Sequence, residues 1–370
     1  MLWIVGTSVS IEANGYASRL AQRLHAEYNI DSRNLSVGDQ TSLMGYMRVL
    51  MHRHEIGSGD VVVWEYSLLD SLLADSNVPA DDIESARHQA WDVLVELGAH
   101  IIVLMVPAKA YLSHQSEQEQ RMAADASALG LTCIDVRELF QTLDNSPAQH
   151  YRDDRHPSIA SPIIGLMVER LTQAVVSVHG QALQQSPHRR WPDANWQWIG
   201  SAELARKSGL GRKRFSNSLV NLSAVSLHEG DRLPIAATSR VVAIGLLSTH
   251  ASGGVWCGHP GCAPAATRLP AELAFPFLLR CSGLPCVRAQ LDSIACAPDW
   301  AYGRGLWAAY GQALCAQPGQ VWVFGVLYAP TTALISPTRH ALLPLRNWLR
   351  RGRALWAKLG SFGAQPKRQL

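Results

Sequence analysis

Apolar runs alternate with amphipathic, helix-length stretches over the first 178 residues. Few arrangements bury such a pattern except a parallel sheet covered by helices. The expected strands are LWIV at the start, NLSV (34–37), DVVVWEY (60–66), HIIVLMV (100–106) and TCIDV (132–136). The expected helices cover 14–28, 41–54, 81–97, 117–130 and 158–178. In the first of these, Ala17, Leu20, Ala21 and Leu24 recur at helical spacing. The VVVW run is apolar through its middle, as expected of a strand buried on both faces. In a sheet of this kind ligands meet the carboxyl ends of the strands, near the point where strand order reverses.

The texture changes further on. Residues 179–195 are polar and patternless and read as a linker. From 196 to about 335, Gly, Pro and Trp are frequent and helical periodicity is weak. SRVVAIGLLS (239–248), AFPFLLRC (274–281) and QVWVFGVLY (320–328) read as strands of an antiparallel sandwich. A chain of 370 residues, 47% apolar and 17% charged, is globular and long enough for two domains. No apolar run is long enough to span a bilayer, and the start lacks the pattern of a secretory signal. A cytoplasmic location is therefore expected. Trp196, Trp198, Trp256, Trp300, Trp307 and Trp322 could stack on sugar rings, but tryptophans in a sandwich more often fill its core.

Chemistry is sought at the strand ends. The first strand runs into Gly6-Thr7-Ser8. Ser8 suits a helix cap, and it equally suits a nucleophile held at a strand terminus. A serine nucleophile needs a base, and the base needs an orienting group. YRDDRHPS places Asp153 three residues before His156, just ahead of the last helix. In a turn, that spacing lets the carboxylate hold one imidazole nitrogen while the other faces Ser8. Cys257–Cys262 and Cys281–Cys286 have a C-x4-C spacing with His259 nearby, which is wider than structural zinc sites favour. No phosphate loop or dinucleotide fingerprint occurs, so no cofactor and no nucleic-acid partner is expected.

The blocks GTSVS, NLSVGDQTS, DVVVWEYSLLD and DDRHPS, in this order, resemble the SGNH (GDSL-like) hydrolases over about residues 1–178. The resemblance implies a flavodoxin-like three-layer fold. It also implies a serine esterase or acyl transferase working through an acyl-serine intermediate. By it Ser8 is the nucleophile, His156 the base and Asp153 its orienter, and the N–H groups of Ser8 and Gly38 form the oxyanion hole. Two positions depart from the family pattern. Thr7 stands where Asp is common, and Leu69 stands where an Asn donor to the oxyanion is usual. Glu65, inside the third strand, is expected in a hydrogen-bonded network and not in catalysis. The resemblance implies ester substrates, with carbohydrate or surface-polysaccharide precursors among them. A rival expectation is a glycan-binding protein or membrane-surface scaffold with a degenerate site.

The charge distribution adds one more expectation. Beyond Asp299 the chain has nine basic residues and no acidic one, within a net charge of +3. In residues 336–370, Leu345, Trp348, Leu349, Trp356 and Leu359 fall on one side of a helix, largely away from the arginines. Such a basic amphipathic tail suits peripheral docking on an anionic membrane, or packing on the protein's own domains.

Overall fold

The computed structural model of the chain describes residues 1–74, 78–144, 146–181, 191, 196–217, 220–234, 239–249, 254–258, 265–268, 278–282, 293–297 and 320–330. Met1–Thr331 form one compact unit. The basic tail expected at 336–370, and Cys262, Cys286, Cys315 and His259, lie outside the described residues.

The first half is the alternating fold that its apolar pattern dictates. In order come β1 (Leu2–Gly6), α1 (Ser8–Ile11), α2 (Tyr16–Tyr28), β2 (Ser32–Asn34), α3 (Ser42–His52), β3 (Val61–Glu65), α4 (Ser67–Leu73), α5 (Ala80–Glu96), β4 (His100–Met105), α6 (Glu117–Ala128), β5 (Thr132–Asp135), α7 (Val136–Phe140) and α8 (Pro162–Val178). The sheet is parallel, in the order β2-β1-β3-β4-β5. Strand order therefore reverses between β1 and β3, and the crevice at their carboxyl ends is where ligands of such sheets bind. Successive residues of each strand serve opposite faces. Trp3, Val5, Val62, Trp64, Val103 and Met105 pack with α3, α5 and α6. Leu2, Ile4, Val61, Val63, Ile102 and Leu104 pack with α2, α4, α7 and α8. These are the three layers expected.

One strand differs from expectation. β2 is Ser32–Asn34 and not 34–37, because the polar residues Ser32, Arg33 and Asn34 pair with Leu2, Trp3 and Ile4. Leu35 and Val37 still donate N–H bonds to the carbonyls of Ile4 and Gly6, and their side chains turn into the core. An edge strand covered on one side needs no apolar run, so it left no signal.

The second half holds β6 (Gln197–Gly200), α9 (Ser201–Ser208), β7 (Arg212–Ser216), β8 (Asn221–Leu227), β9 (Arg232–Pro234), β10 (Ser239–Ser248), β11 (Gly254–Gly258), β12 (Ala265–Arg268), β13 (Leu278–Ser282), β14 (Ser293–Ala297) and β15 (Val321–Pro330). One sheet runs β13-β10-β15-β8-β7, with β6 also on β15, and a second runs β12-β11-β14-β9. Every pairing in them is antiparallel. On β15, Val321, Val323 and Val326 join the apolar cluster shared by the two sheets. Trp322, Phe324 and Leu327 point the other way, into the cluster that also holds α3 and α5. The six-stranded sheet thus packs on the α/β layers as well as on its partner sheet. Trp196 and Trp322 are buried in that joint cluster and Trp198 packs against it, so these three are core. Trp191, within the segment expected as linker, stacks on His88 of α5.

Candidate active site

β1 delivers the Thr7–Ser8 turn to the crevice. Gly6 ends the strand because nothing larger fits: a Cβ there would lie 2.5 Å from Ser10 Oγ and 2.9 Å from Glu65 Oε2. Ser8 is the first residue of α1, and Thr7 before it has extended backbone. Ser8 Oγ lies 2.8 Å from His156 Nε2.

His156 is carried by a small closed loop. Arg152 N–H bonds the His156 carbonyl at 3.0 Å, and Ser158 N–H bonds the His150 carbonyl at 2.7 Å. Tyr151 Oη donates to the Pro107 carbonyl at 2.6 Å, and Lys109 N–H to the Asp154 carbonyl at 2.9 Å. Below the loop, His150 Nδ1 is 2.8 Å from Ser161 Oγ, the capping group of α8. Asp153 sits inside this frame. Both of its carboxylate oxygens are 2.9 Å from His156 Nδ1. A carboxylate only accepts, so Nδ1 carries the proton and Nε2 is left to accept from the Ser8 hydroxyl. Partial burial pulls the Asp153 carboxyl upward. The N–H groups of Arg155 and His156 outweigh it and hold the carboxyl below its usual range.

The loop after β2 brings Gly38 to the same place. A Cβ at Gly38 would lie 3.7 Å from Ser8 Cβ and 3.3 Å from Ile11 Cδ1. Among the described residues, neither the Ser8 nor the Gly38 N–H is spent on a protein acceptor. The loop ends at α3, where Asp70 of α4 accepts from Ser42 N–H (2.8 Å) and Ser42 Oγ (2.5 Å). Burial raises the Asp70 carboxyl to about 6. Ser8, His156, Asp153 and Gly38 therefore converge.

Leu69 does not face this chemistry with a polar group. It is fully buried in the apolar cluster beneath the sheet. Glu65 is also fully buried and lies in the hydrogen-bonded network expected of it. It accepts from Thr7 N–H, Thr7 Oγ1 and Ser10 Oγ, each at 2.9 Å on Oε2.

The ion pairs at the rim were not foreseen. Arg152 reaches Glu12 at the end of α1 as well as Asp153 Oδ2 at 3.4 Å. Arg155 reaches Asp39, next to Gly38, at 3.4 Å. Both arginines lie within four residues before His156, but Glu12 and Asp39 are over a hundred residues away in sequence, where spacing gives no hint. Among the described residues, no three His, Cys, Asp or Glu side chains are grouped to hold a metal ion.

No protein-family model matches the chain, and no curated protein does. Solved structures do. The chain is similar to a GDSL-like lipase from Bacteroides thetaiotaomicron, at 15% identity over 48% of this chain and 87% of that one, with a TM-score of 0.37. It is similar to the psychrotrophic esterase EstA from Pseudoalteromonas sp., at 16% identity over 48% and 96%, TM-score 0.37. It is also similar to TesA, at 20% identity over 48% and 98%, TM-score 0.36.

Proposed function

We propose that the chain is a serine ester hydrolase or O-acyl transferase, with Ser8, His156 and Asp153 as its triad. The observation that carries this reading is the continuous hydrogen-bonded line from Asp153 through His156 to Ser8 Oγ. Ser8 Oγ attacks the ester carbonyl carbon as its proton passes to His156 Nε2. Asp153 holds the imidazole in the right tautomer and offsets the charge that forms on it. The Ser8 and Gly38 N–H groups donate to the oxyanion. When the tetrahedral centre collapses, the C–O bond to the leaving alcohol breaks and His156 returns the proton to that oxygen. This leaves an acyl-serine. Water or an acceptor hydroxyl, deprotonated by the same imidazole, then releases the acyl group and restores Ser8.

Two backbone donors make a lean oxyanion hole. A single side-chain donor is typically worth about 10²–10³ in rate, and Leu69 supplies none. The buried Leu69 is also what favours a second reading, a domain that binds esters or glycans without turnover. For substrate we propose an acetylated carbohydrate or surface-polysaccharide precursor, as the resemblance implies. No helix among the described residues is long and apolar enough to cross a membrane. Peripheral docking through residues 336–370 is part of this proposal.

The test is turnover of an activated aryl acetate. Ser8→Ala and His156→Ala are each expected to lose about 10⁴-fold or more, with unchanged thermal unfolding, because the three groups act as a unit. Wild-type turnover in Ser8→Ala would remove the triad assignment. No turnover in any form, with glycan binding retained, would leave the binding protein.

A further inference from the structure

A carboxylate reaches the Thr7–Ser8 turn from the neighbouring strand. Glu65 ends β3, opposite Gly6 of β1. Its side chain passes beneath Gly6, where a Cβ would leave it no room. There it collects donors from both sides of Ser8. Thr7 contributes its N–H and its hydroxyl, and Ser10 contributes its hydroxyl. Ser10 Oγ lies in turn 2.6 Å from Tyr16 Oη, so a line of hydroxyls runs from α2 to the carboxylate. Three donors converge on Oε2, while Oε1 has Thr7 Oγ1 alone at 3.2 Å.

Resting on the triad reading above, we propose that Glu65 is a positioning residue. In its ionised form it fixes the Thr7–Ser10 turn, so that the Ser8 hydroxyl and the Ser8 N–H are held toward one reacting carbonyl.

The chemistry of the site favours this role over a purely structural one. Every described partner of the carboxylate is a donor, which suits an acceptor-only group. Adding a proton puts it on Oε1, the less committed oxygen, and turns the Thr7 hydroxyl into its acceptor. The turn is then still bonded, but by neutral hydrogen bonds, which are about half as strong as those to a charged acceptor. The titratable groups facing Glu65 are Tyr16 from α2 and Asp70 from α4. Burial is the largest influence on the carboxyl, the Thr7 and Ser10 bonds oppose it, and the Asp70 charge adds to it. The result is a carboxyl raised to about 7. Glu65 thus changes charge within the working range of a histidine base, and the turn tightens as it does.

Glu65→Gln reproduces the neutral form. Its amide oxygen can take the Thr7 and Ser10 donors, and its nitrogen can donate to Thr7 Oγ1. The experiment measures kcat for an activated aryl acetate in both proteins across pH and takes the wild-type to Glu65→Gln ratio, in which the shared ionisation of the base cancels. The ratio is expected near 1 at about pH 5.5 and about 10 above pH 8, with KM unchanged and the midpoint near 7. A ratio that does not vary with pH overturns the proposal, whatever its value. Thr7→Val removes one donor without changing shape. It is expected to show a smaller loss of kcat, again larger at high pH, and a wild-type profile in this variant also overturns the proposal. Ser8→Ala separates the two levels. If it keeps activity, the triad itself is wrong; if it is inactive while the Glu65→Gln ratio is flat, only the positioning role fails.

Discussion

Raising the pH from 4.5 to about 7 should remove stability that Glu65 contributes to the fold, and Glu65→Gln should abolish that part of the pH dependence. The carboxyl is fully buried and raised from an ordinary 4.5 to about 7. Between these values the folded chain holds a proton at Glu65 that the unfolded chain has released. Stability therefore falls as pH rises through this window and is level above it. At roughly 1.4 kcal/mol for each pH unit between the two affinities, the loss is about 3 kcal/mol. Asp70 adds a loss of the same sign between 3.8 and about 6, but it is present in both proteins. Urea unfolding of wild type and Glu65→Gln at a series of pH values isolates the difference. The stability of wild type minus that of the variant is expected to drop by about 3 kcal/mol between about pH 4.5 and pH 8. A difference that stays constant with pH would refute the burial argument, since a carboxyl ionising normally in both states contributes no slope. Together with the kinetic expectation, this makes the ionised form less stable and more active, a trade common at functional sites.

Leu69→Asn puts an amide into the apolar cluster beneath the sheet. It is expected to cost about 2–4 kcal/mol in urea unfolding and to bring no gain in turnover; a rise in kcat would mean that this position does face the oxyanion. Gly38→Ala places a methyl group 3.7 Å from Ser8 Cβ and presses on Ile11. Thermal unfolding should be little changed while kcat falls, and undiminished kcat would move the oxyanion site away from Gly38. The basic tail is tested by sedimentation with vesicles. Binding should require anionic lipid, weaken with salt and vanish on removal of residues 341–370. Indifference of the full chain to anionic vesicles at low salt, or unfolding of the truncated protein, would assign the segment to the protein's own core.

What the sequence disclosed follows from which forces leave a periodic mark. β1, β3 and β4 are buried on both faces and appear as apolar runs. α2, α5, α6 and α8 bury one stripe each, and that stripe recurs at helical spacing. β10 and β15 were legible for the same reason. β2 was misplaced because its polar edge residues are chosen by pairing with Leu2, Trp3 and Ile4. α4 was not foreseen: it starts directly after the β3 run, where Ser67 bonds the Val106 N–H and carbonyl just beyond β4. The Asp153–His156 relation is local, three residues apart, and so was readable. The pairs Arg152–Glu12 and Arg155–Asp39 and the three donors on Glu65 join distant segments, and only the folded chain brings them together.

The most direct test is covalent labelling of the folded protein with an aryl phosphonate, followed by mass mapping of the peptides. If His156 and Asp153 activate Ser8, a single adduct forms on Ser8, and it fails to form in His156→Ala. Labelling is also expected to slow in Asp153→Asn. A folded wild-type protein that takes no label at Ser8, or that takes it equally in His156→Ala, would contradict an activated nucleophile at the end of β1.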